Sequence, residues 1–525
     1  MQGKKQYTEK LFTSFHLSDR VPSDNFYRRL KEKLDLEFLR EETKSYYGSE
    51  GNSSIDPLVF FKLILVGYLE NLNSDRKIIS HSAMRLDVLF FIGYDIDEEL
   101  PWHSTLSRTR GLYGEEVFRK LFKVVLALCV KKGMVGGKRQ AIDSAFIKAN
   151  ASLDSVAEKE VVNDGDEYLN ELEENSELKV TASKKAEVDY HHSWKQKTYS
   201  DQHRRRDKAG EVDEFGNVIR QRFLSNHTHY STTDPDARIS VKPGKPRQFN
   251  YSAQTSVDTQ SHVITNIMAD FSDRKDSNSM PEVIKQTREN IEENGLILEE
   301  VLADAGYSSG KALTSLKDNN ITGYIPNFGP YKPNRKGFMY NSDLDQYECE
   351  RGNRAILPFK SIRRMRDSSE RVYRSSETVC GTCPFRESCC GKSSRYKKIT
   401  HSVDKPLYDE MHERLKTQNA KRLKVQRSST VEPVLGTLIN FTGMRRIWTR
   451  GIKNANKFVL GAAIAYNLKK WLKWPDANSS STKRKVVSNQ KPLNNENLSV
   501  IVLRTGAGRI SSSRRYLKVR NSSRC

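Results

Sequence analysis

The chain lacks an apolar stretch long enough to cross a membrane, and its N-terminus lacks the apolar core of a signal peptide. The longest apolar runs, Leu58–Leu69 and Phe458–Tyr466, are far shorter than the roughly 20 residues that a spanning helix needs. Residues Met1–Lys5 lead into no apolar segment, so export is not expected. We therefore predict a cytoplasmic protein that has no membrane partner.

Cysteine is scarce, and two familiar catalytic signatures are missing. Seven cysteines in 525 residues do not make a disulfide scaffold, so a reducing compartment fits. The sequence contains no glycine-rich loop of the kind that cradles phosphate, and no Ser-His-Asp arrangement can be argued from it. The histidines at 191–192, 227 and 229 lie in polar segments, where solvated histidines are commoner than metal ligands.

Positive charge is what the chain has in excess. It contains 88 Lys and Arg against 66 Asp and Glu, a formal net charge of +22. Such an excess indicates a polyanionic partner, either nucleic acid or an anionic membrane surface. Because membrane segments are lacking, we expect nucleic acid. The length also exceeds that of one ordinary core, so several domains are expected.

Residues 1–135 are predicted to be mostly helical. Asp56 and Pro57 make a favourable helix start, and apolar residues recur at helical spacing from Leu58 to Leu69. Further helices are predicted at 75–86, 105–112 and 115–132. These helices carry Arg85, Arg108 and Arg110. They could form a helix-turn-helix-like DNA-binding head or a small bundle that makes only protein contacts, and periodicity alone does not choose between the two.

Strand patterns begin after residue 136, in an order that matches an RNase-H-like α/β fold with a mixed sheet. Apolar and polar residues alternate along Phe249–Val257, which favours a strand with one polar face. The predicted elements are, in order, a strand at Arg139–Ile147, the strand Phe249–Val257, its hairpin partner His262–Ala269, a helix at 276–294, an apolar strand Leu298–Ala303, another helix and a short strand Gly323–Ile325.

The chain is predicted to contain five parts. They are a helical N-terminal DNA-binding domain at 1–135, the first part of the RNase-H-like core at 136–327 with a polar insertion at about 154–236, a cysteine-rich basic insertion at 328–425, the C-terminal helical part of the core at 426–474, and a disordered tail at 475–525. Helical periodicity resumes at Ser429, since Val431, Leu435 and Leu438 share one face.

Three acidic residues occupy positions where this fold could gather them. Asp143 lies within a predicted strand, Asp304 just past the end of another, and Glu432 in what is predicted to be the first turn of a helix. Phosphodiester transfer by two metal ions about 4 Å apart needs converging carboxylates, and magnesium prefers such hard oxygen ligands. Each residue also has a structural explanation: a solvent-facing strand residue, a turn former, or a carboxylate favoured by a helix dipole.

Several motifs in a fixed order strengthen the catalytic interpretation. They are Ala141–Ser144 (AIDS), Thr233–Arg238 (TDPDAR), Tyr251–Gln254 (YSAQ) with Val257-Asp258, Leu302–Tyr307 (LADAGY), Val431–Gly436 (VEPVLG), Gly443–Arg446 (GMRR) and Arg450-Gly451. Through these motifs the chain resembles bacterial insertion-sequence transposases of the DDE class over residues 10–470. The resemblance implies that Asp143, Asp304 and Glu432 form a catalytic triad that binds Mg²⁺ or Mn²⁺. It also implies double-stranded DNA partners (element ends and target), a homodimer or larger assembly, and association with the bacterial nucleoid.

The surroundings of Glu432 depart from the pattern common in such enzymes, in which a Tyr, an Arg and a Lys flank the Glu at fixed steps. Arg427 lies five residues before Glu432 rather than four, Lys424 stands where a Tyr is expected, and Ile439 takes the place of the Lys. The candidates for contacting DNA phosphate are Arg427, Arg445 and Arg446. Plain surface cations are the alternative.

A cysteine cluster marks the second insertion. Cys380 and Cys383 are separated by two residues, Cys349 lies upstream, and Cys389 and Cys390 follow. Cys349, Cys380, Cys383 and either Cys389 or Cys390 could hold a structural Zn²⁺ tetrahedrally, and reduced structural cysteines are the alternative.

The leading hypothesis is a transposase that hydrolyses a phosphodiester bond at each element end and transfers the free 3′-hydroxyl to target DNA. One rival is a non-catalytic, zinc-stapled DNA-binding protein or a decayed relative. A second rival is a metal-dependent nuclease of the same fold.

Overall fold

The computed structural model describes residues 2, 4–5, 14–48, 50, 54–158, 211–212, 225–226, 229–240, 247–329, 331–365 and 368–475. All of them belong to one compact unit that ends at Ala477. The acidic and basic runs of the first insertion, the histidines at 191–192 and 227, and the predicted tail from residue 476 onward lie outside the described residues.

The N-terminal region is helical, as predicted. Asp56 caps the apolar helix that begins at Pro57, because its carboxylate accepts the backbone N–H of Leu58 at 2.8 Å. The helix predicted at 75–86 ends at Ala83 instead, and a separate helix that was not predicted runs from Leu86 to Ile92, followed by Gly93 with a left-handed φ of +91°. The helices are α1 (Leu17–Arg20), α2 (Phe26–Lys33), α3 (Phe38–Thr43), α4 (Pro57–Leu69), α5 (Asp75–Ala83), α6 (Leu86–Ile92), α7 (His103–Leu112) and α8 (Glu115–Lys131).

A six-stranded mixed sheet forms the centre of the molecule. Its strands are β1 (Arg139–Lys148), β4 (Arg238–Ser240), β5 (Gln248–Asp258), β6 (Ile264–Phe271), β7 (Glu300–Leu302) and β8 (Thr322–Tyr324). The order is β4-β5-β1-β7-β8, with β6 also paired to β5. Strand β5 is antiparallel to both of its neighbours β1 and β6. Strand β7 is parallel to β1, and β8 is parallel to β7. This is the RNase-H-like arrangement predicted from the order of elements.

Strand β6 begins two residues later than predicted. His262 adopts a left-handed φ of +61° in the turn after β5, so the chain becomes extended only from Ile264. A separate two-stranded sheet pairs β2 (Val156–Glu158) with β3 (His229–Ser231).

Helices cover both faces of the sheet. One face carries α15 (Ile452–Lys473), which also packs against α4 and α8 and shares one apolar core with them. Gly461 of α15 allows this approach, because a β-carbon there would lie 2.2 Å from the Tyr68 ring of α4. The other face carries α9 (Asp276–Glu292) and α10 (Gly310–Asp318), with a second apolar core.

The polar face of β5 is therefore buried, although its alternation is typical of a strand with one face in water. Every residue from Phe249 to Asp258 is buried. Several polar side chains of this face are hydrogen-bonded internally; for example, Ser256 shares a 2.8 Å hydrogen bond with Thr287 of α9.

The cysteine-rich region is built on a second, antiparallel sheet of five strands in the order β13-β12-β11-β10-β9. Its elements are β9 (Phe338–Asn341), β10 (Gln346–Cys349), β11 (Ile356–Arg364), β12 (Ser369–Arg374), β13 (Lys398–Ser402) and the short helices α11 (Glu377–Gly381) and α12 (Arg386–Cys390). Helix α13 (Lys405–Leu415) then packs against α10 and β8.

Helix α14 spans Gln418–Phe441, so the predicted start at Ser429 is wrong. Thr417 caps the helix through its hydroxyl, which accepts the backbone N–H of Ala420 at 3.2 Å. Glu432 consequently lies in the middle of the helix rather than in its first turn, and the helix dipole does not explain its position. None of the helices in the described ranges combines the length and apolar character needed to cross a membrane.

Candidate active site

Asp143 and Asp304 occupy equivalent places on two neighbouring parallel strands. Strands β1 and β7 pair in parallel with Ala141 opposite Leu302, and each aspartate lies two residues further along the chain, Asp143 still within β1 and Asp304 just past the end of β7. The Asp143 side chain is 17% exposed. Burial raises the pKa of Asp143, and so does the nearby Asp304 carboxylate, while the backbone N–H of Ser144 and the Arg427 guanidinium act in the opposite direction. A cation beside Asp143 would therefore be stabilising.

A tight turn fixes the Asp304 carboxylate. Its Oδ1 accepts the backbone N–H of Gly306 at 2.9 Å. A β-carbon at Gly306 would lie 3.0 Å from Asp304 Oδ1 and 3.6 Å from Oδ2 of Asp276. The glycine thus leaves room for two carboxylates, and Asp276, the first residue of α9, joins the site without having been predicted.

A buried polar network lies behind these acids. The Tyr307 hydroxyl donates to Oε1 of Gln254, and Nε2 of Gln254 donates to Oδ1 of Asp276 at 2.8 Å. Burial raises the pKa of Tyr307 well above its usual value, and the carboxylates of Asp276 and Asp143 add to the effect, so the phenol stays neutral and remains a donor. Gln254 belongs to the polar face of β5, and that face holds Asp276 toward the site.

Glu432 reaches the same place through an arginine. Arg427 Nη1 lies 2.9 Å from Asp143 Oδ2, and its Nη2 lies 3.3 Å from Glu432 Oε1. Arg427 is 14% exposed, whereas Glu432 is 58% exposed. Helix α14 brings both residues in because it packs against β1 and β5.

In this arrangement, no three Asp, Glu, His or Cys side chains of the described residues are grouped so that they could hold a metal ion. Asp143 and Asp304 are adjacent, and Glu432 is linked to Asp143 by a guanidinium. The donor set nevertheless fits Mg²⁺ or Mn²⁺, since all three residues offer hard carboxylate oxygens and a positive charge already occupies the space next to Asp143 and Glu432.

The arginines considered for DNA contact have different surroundings. Arg445 is exposed. Arg446 donates to Asn150 Oδ1 at 3.1 Å and lies 4.6 Å from the centre of the Trp448 ring, while its buried Nε has no hydrogen-bond partner. The backbone of Arg446 also pairs with that of Lys148 in a single parallel β-bridge, at the end of the strand that carries Asp143.

Two arginines of the N-terminal helices are engaged within the protein. Arg110 donates to both carboxylate oxygens of Asp75 at 2.6 and 3.0 Å, and Arg85 makes a similar contact to Asp87 at 2.7 and 2.8 Å. Both guanidinium groups are therefore already paired with carboxylates of the protein itself, as the protein-contact alternative for these helices requires. Arg108 is exposed.

The TDPDAR motif has a structural role. Asp234 Oδ1 accepts the Tyr251 hydroxyl at 2.7 Å and the backbone N–H of Gly451 at 3.0 Å. Asp236 Oδ2 accepts the backbone N–H of Ile452 at 2.9 Å. Both carboxylates thus satisfy donors at the start of α15, which ties the motif to the Arg450-Gly451 element.

Five cysteines line one cavity of about 320 Å³ in the second sheet region: Cys349, Cys380, Cys383, Cys389 and Cys390. All five are free thiols. The turn after β10 is joined to α11 by Asn353, whose side chain donates to the carbonyl of Val379 at 2.8 Å. Gly352 allows a close approach, since a β-carbon there would lie 2.5 Å from Cys383 Sγ.

A larger cleft of about 840 Å³ adjoins the acids. It is bounded by Asp276 and Gly306 of the core on one side and by Met365 and Ser368 at the tip of the β11–β12 hairpin on the other. The cleft therefore lies between the acidic site and the second sheet.

Two family models match the sequence. The model described as a transposase domain (DUF772) matches residues 15–112, and that described as a transposase DDE domain matches residues 348–472, which include Arg427 and Glu432. No curated protein matches the chain. With an RNase-H-like sheet between an N-terminal transposase domain and a DDE domain, the chain belongs to the DDE-class DNA transposases of insertion sequences.

Proposed function

We propose that this transposase hydrolyses phosphodiester bonds at the ends of its DNA element and transfers the freed 3′-hydroxyl to target DNA, using Asp143, Asp304 and Glu432 as metal ligands. One observation carries the proposal: the β1–β7 register puts Asp143 beside Asp304, and Arg427 links Asp143 to Glu432. Carboxylates this close repel one another unless a positive charge lies between them.

The metal would be Mg²⁺ or Mn²⁺, held by Asp143, Asp304 and Glu432. When bound, divalent ions of this kind activate the attacking oxygen and stabilise the leaving oxygen of an in-line displacement. The protein's own part is to orient the ligands. The turn at Gly306 fixes the Asp304 carboxylate, and the Tyr307–Gln254–Asp276 network holds a further carboxylate beside it.

The family implies DNA binding, and we propose that three regions take part. Helices of residues 1–135 would bind the element ends, with Arg108 exposed. The cysteine-rich insertion at 328–425 would contribute its β11–β12 hairpin, whose first strand exposes nearly all of its residues, Lys360, Arg363 and Arg364 among them. A two-stranded ribbon fits the DNA major groove. The helical part at 426–474 would add Arg445 and Arg446. Joining two ends requires a homodimer or larger assembly.

A nicking and joining assay tests the catalytic proposal. The full chain is incubated with supercoiled plasmid carrying the element ends and Mg²⁺ or Mn²⁺. The matched pair is Asp304→Asn at the site and Asp318→Asn at the exposed end of α10. We expect Asp304→Asn to abolish cleavage and Asp318→Asn to leave it unchanged. DNA binding without cleavage by the wild type favours the regulator alternative, and cleavage without joining favours a nuclease.

We further propose that Cys349, Cys380, Cys383 and Cys389 hold a structural Zn²⁺, with Cys390 as the alternative fourth ligand. The proposal is supported by the position of these cysteines, which all line one cavity in a region with a small apolar core. Four thiolates suit tetrahedral zinc, and a metal would stabilise the short strand and the two short helices that carry most of them.

Elemental analysis of the purified full chain tests the zinc proposal. We expect about one zinc per chain in the wild type, the same in Cys129→Ala, and a loss in Cys383→Ser. Comparing Cys389→Ser with Cys390→Ser identifies the fourth ligand. A wild-type protein without zinc after expression in zinc-supplemented medium would contradict the proposal.

A further inference from the structure

The place of Arg427 between two proposed metal ligands is the starting observation. One guanidinium nitrogen lies 2.9 Å from Asp143 Oδ2 and the other 3.3 Å from Glu432 Oε1. The arginine donates to two carboxylates that belong to different elements, the strand β1 and the helix α14. The side chains of Arg427 and Asp143 are 14% and 17% exposed, so this contact is sheltered from water, whereas Glu432 is 58% exposed and its contact lies at the surface.

From this geometry we propose that Arg427 takes the place of a cation in the DNA-free protein, so that metal binding by Asp143 and Glu432 requires Arg427 to move. The inference rests on the proposed function, because it assumes that these two acids are metal ligands. Arg427 is then a positioning residue: it controls when the carboxylates become available and does not itself touch the reacting atoms.

The negative charges of the site explain why it favours a positive charge, whether that of a metal ion or that of Arg427. Asp143, Asp304 and Glu432 would bring three negative charges together, with Asp276 beside Asp304. The guanidinium is charged at every accessible pH and offers a planar fork that matches carboxylates. Since the Arg427–Asp143 pair is sheltered, its attraction exceeds that of an exposed pair.

The same contacts predict that metal and arginine compete. A metal ion that binds Asp143 and Glu432 together needs the space next to both carboxylates, where the guanidinium lies. An Arg427 side chain displaced by metal would lose both carboxylate partners; within the described residues its remaining side-chain hydrogen bond is to Ser428 Oγ at 3.5 Å. A DNA phosphate offers a matching anion for the arginine fork.

DNA and metal should therefore assist each other. Phosphate that attracts Arg427 frees the carboxylates for metal, and metal that occupies the carboxylates frees Arg427 for phosphate. Such coupling is reciprocal, with typical factors of about 5–150-fold in affinity. The device would keep metal loading low until DNA is bound.

Binding of Mn²⁺ to the full, DNA-free chain tests the inference, with free Mn²⁺ measured by electron paramagnetic resonance. The matched variants are Arg427→Gln and Arg422→Gln, the latter an exposed arginine on the same helix. We expect Arg427→Gln to bind Mn²⁺ about 10-fold more tightly and Arg422→Gln to match the wild type. Arg427→Lys, which keeps the charge without the fork, should fall between them. Circular dichroism checks that each variant is folded.

A second arm adds duplex DNA with element ends. Wild-type affinity for Mn²⁺ should rise when DNA is added, and the rise should be smaller in Arg427→Gln. Unchanged or weaker Mn²⁺ binding by Arg427→Gln, while Asp143→Asn reduces binding, overturns the inference but leaves the proposed function standing. Mn²⁺ binding that does not depend on Asp143, with or without DNA, overturns both.

Discussion

Asp75→Asn is expected to destabilise the protein strongly, because it leaves the Arg110 guanidinium sheltered and unpaired. Arg110 contacts both carboxylate oxygens of Asp75, and the two side chains are only 16% and 20% exposed. Removing one partner of a buried ion pair costs about 3–5 kcal/mol. Water still reaches part of both side chains, so we expect the lower end, about 3 kcal/mol.

Chemical denaturation followed by tryptophan fluorescence measures the effect as a shift in midpoint. Only the shift is compared, because a chain with several regions need not unfold in one step. Combining Asp75→Asn with Arg110→Met should restore most of the stability, since no unpaired charge remains and the methionine keeps an apolar stem in place. The exposed Arg108→Met should cost no more than about 0.5 kcal/mol.

The salt dependence of DNA binding separates this structural role from a DNA contact. An arginine that contacts phosphate contributes about 0.9 to the slope of log affinity against log salt. We expect Arg110→Met, combined with Asp75→Asn to keep the fold, to leave the slope unchanged. A slope reduced by about 0.9, together with an unchanged denaturation midpoint for Asp75→Asn, would refute the reasoning.

Three further results are expected. Gly306→Ala should slow single-turnover cleavage about 10-fold by pushing on the Asp304 carboxylate, while Gly436→Ala, which meets nothing within 4 Å, should not. Asp236→Ala should lower stability by about 1 kcal/mol, because the start of α15 loses a capping carboxylate, as a thermal melt would show. Burial lowers the pKa of His401 from 6.5 to about 4, so the unfolded chain binds more protons at acid pH. Stability should therefore decline as pH falls from about 6.5 to about 4, and His401→Gln should reduce that decline in pH-dependent denaturation.

The part of the fold that the sequence predicts well is the part governed by local pattern. Apolar runs and turn residues indicated β1 and β7 within a few residues of their ends. Since β1 and β7 pair in parallel, knowing those strands was enough to expect Asp143 and Asp304 at one edge. The N-terminal cap at Asp56 was likewise predictable, because it depends on adjacent residues.

Features that depend on distant packing were not predictable in the same way. The alternation along β5 favours a solvated face, yet α9 covers that face and converts Gln254 into a support for Asp276. The early turns of α14 are rich in exposed cations, so they resemble the insertion before them and conceal the helix start at Gln418. Asp276 itself follows no motif, and only the fold brings it beside Asp304.

The five-residue spacing between Arg427 and Glu432 explains why they differ so much in exposure. With 3.6 residues per helical turn, residues five apart lie about 140° apart around the axis, and residues four apart only about 40°. At a spacing of four, an arginine would share the face of Glu432, the more exposed side of α14. At five, Arg427 turns toward β1 and is sheltered there, where it reaches Asp143 at 2.9 Å and still meets Glu432 at 3.3 Å. The departure from the usual family spacing is therefore what lets one guanidinium bridge two of the proposed catalytic acids.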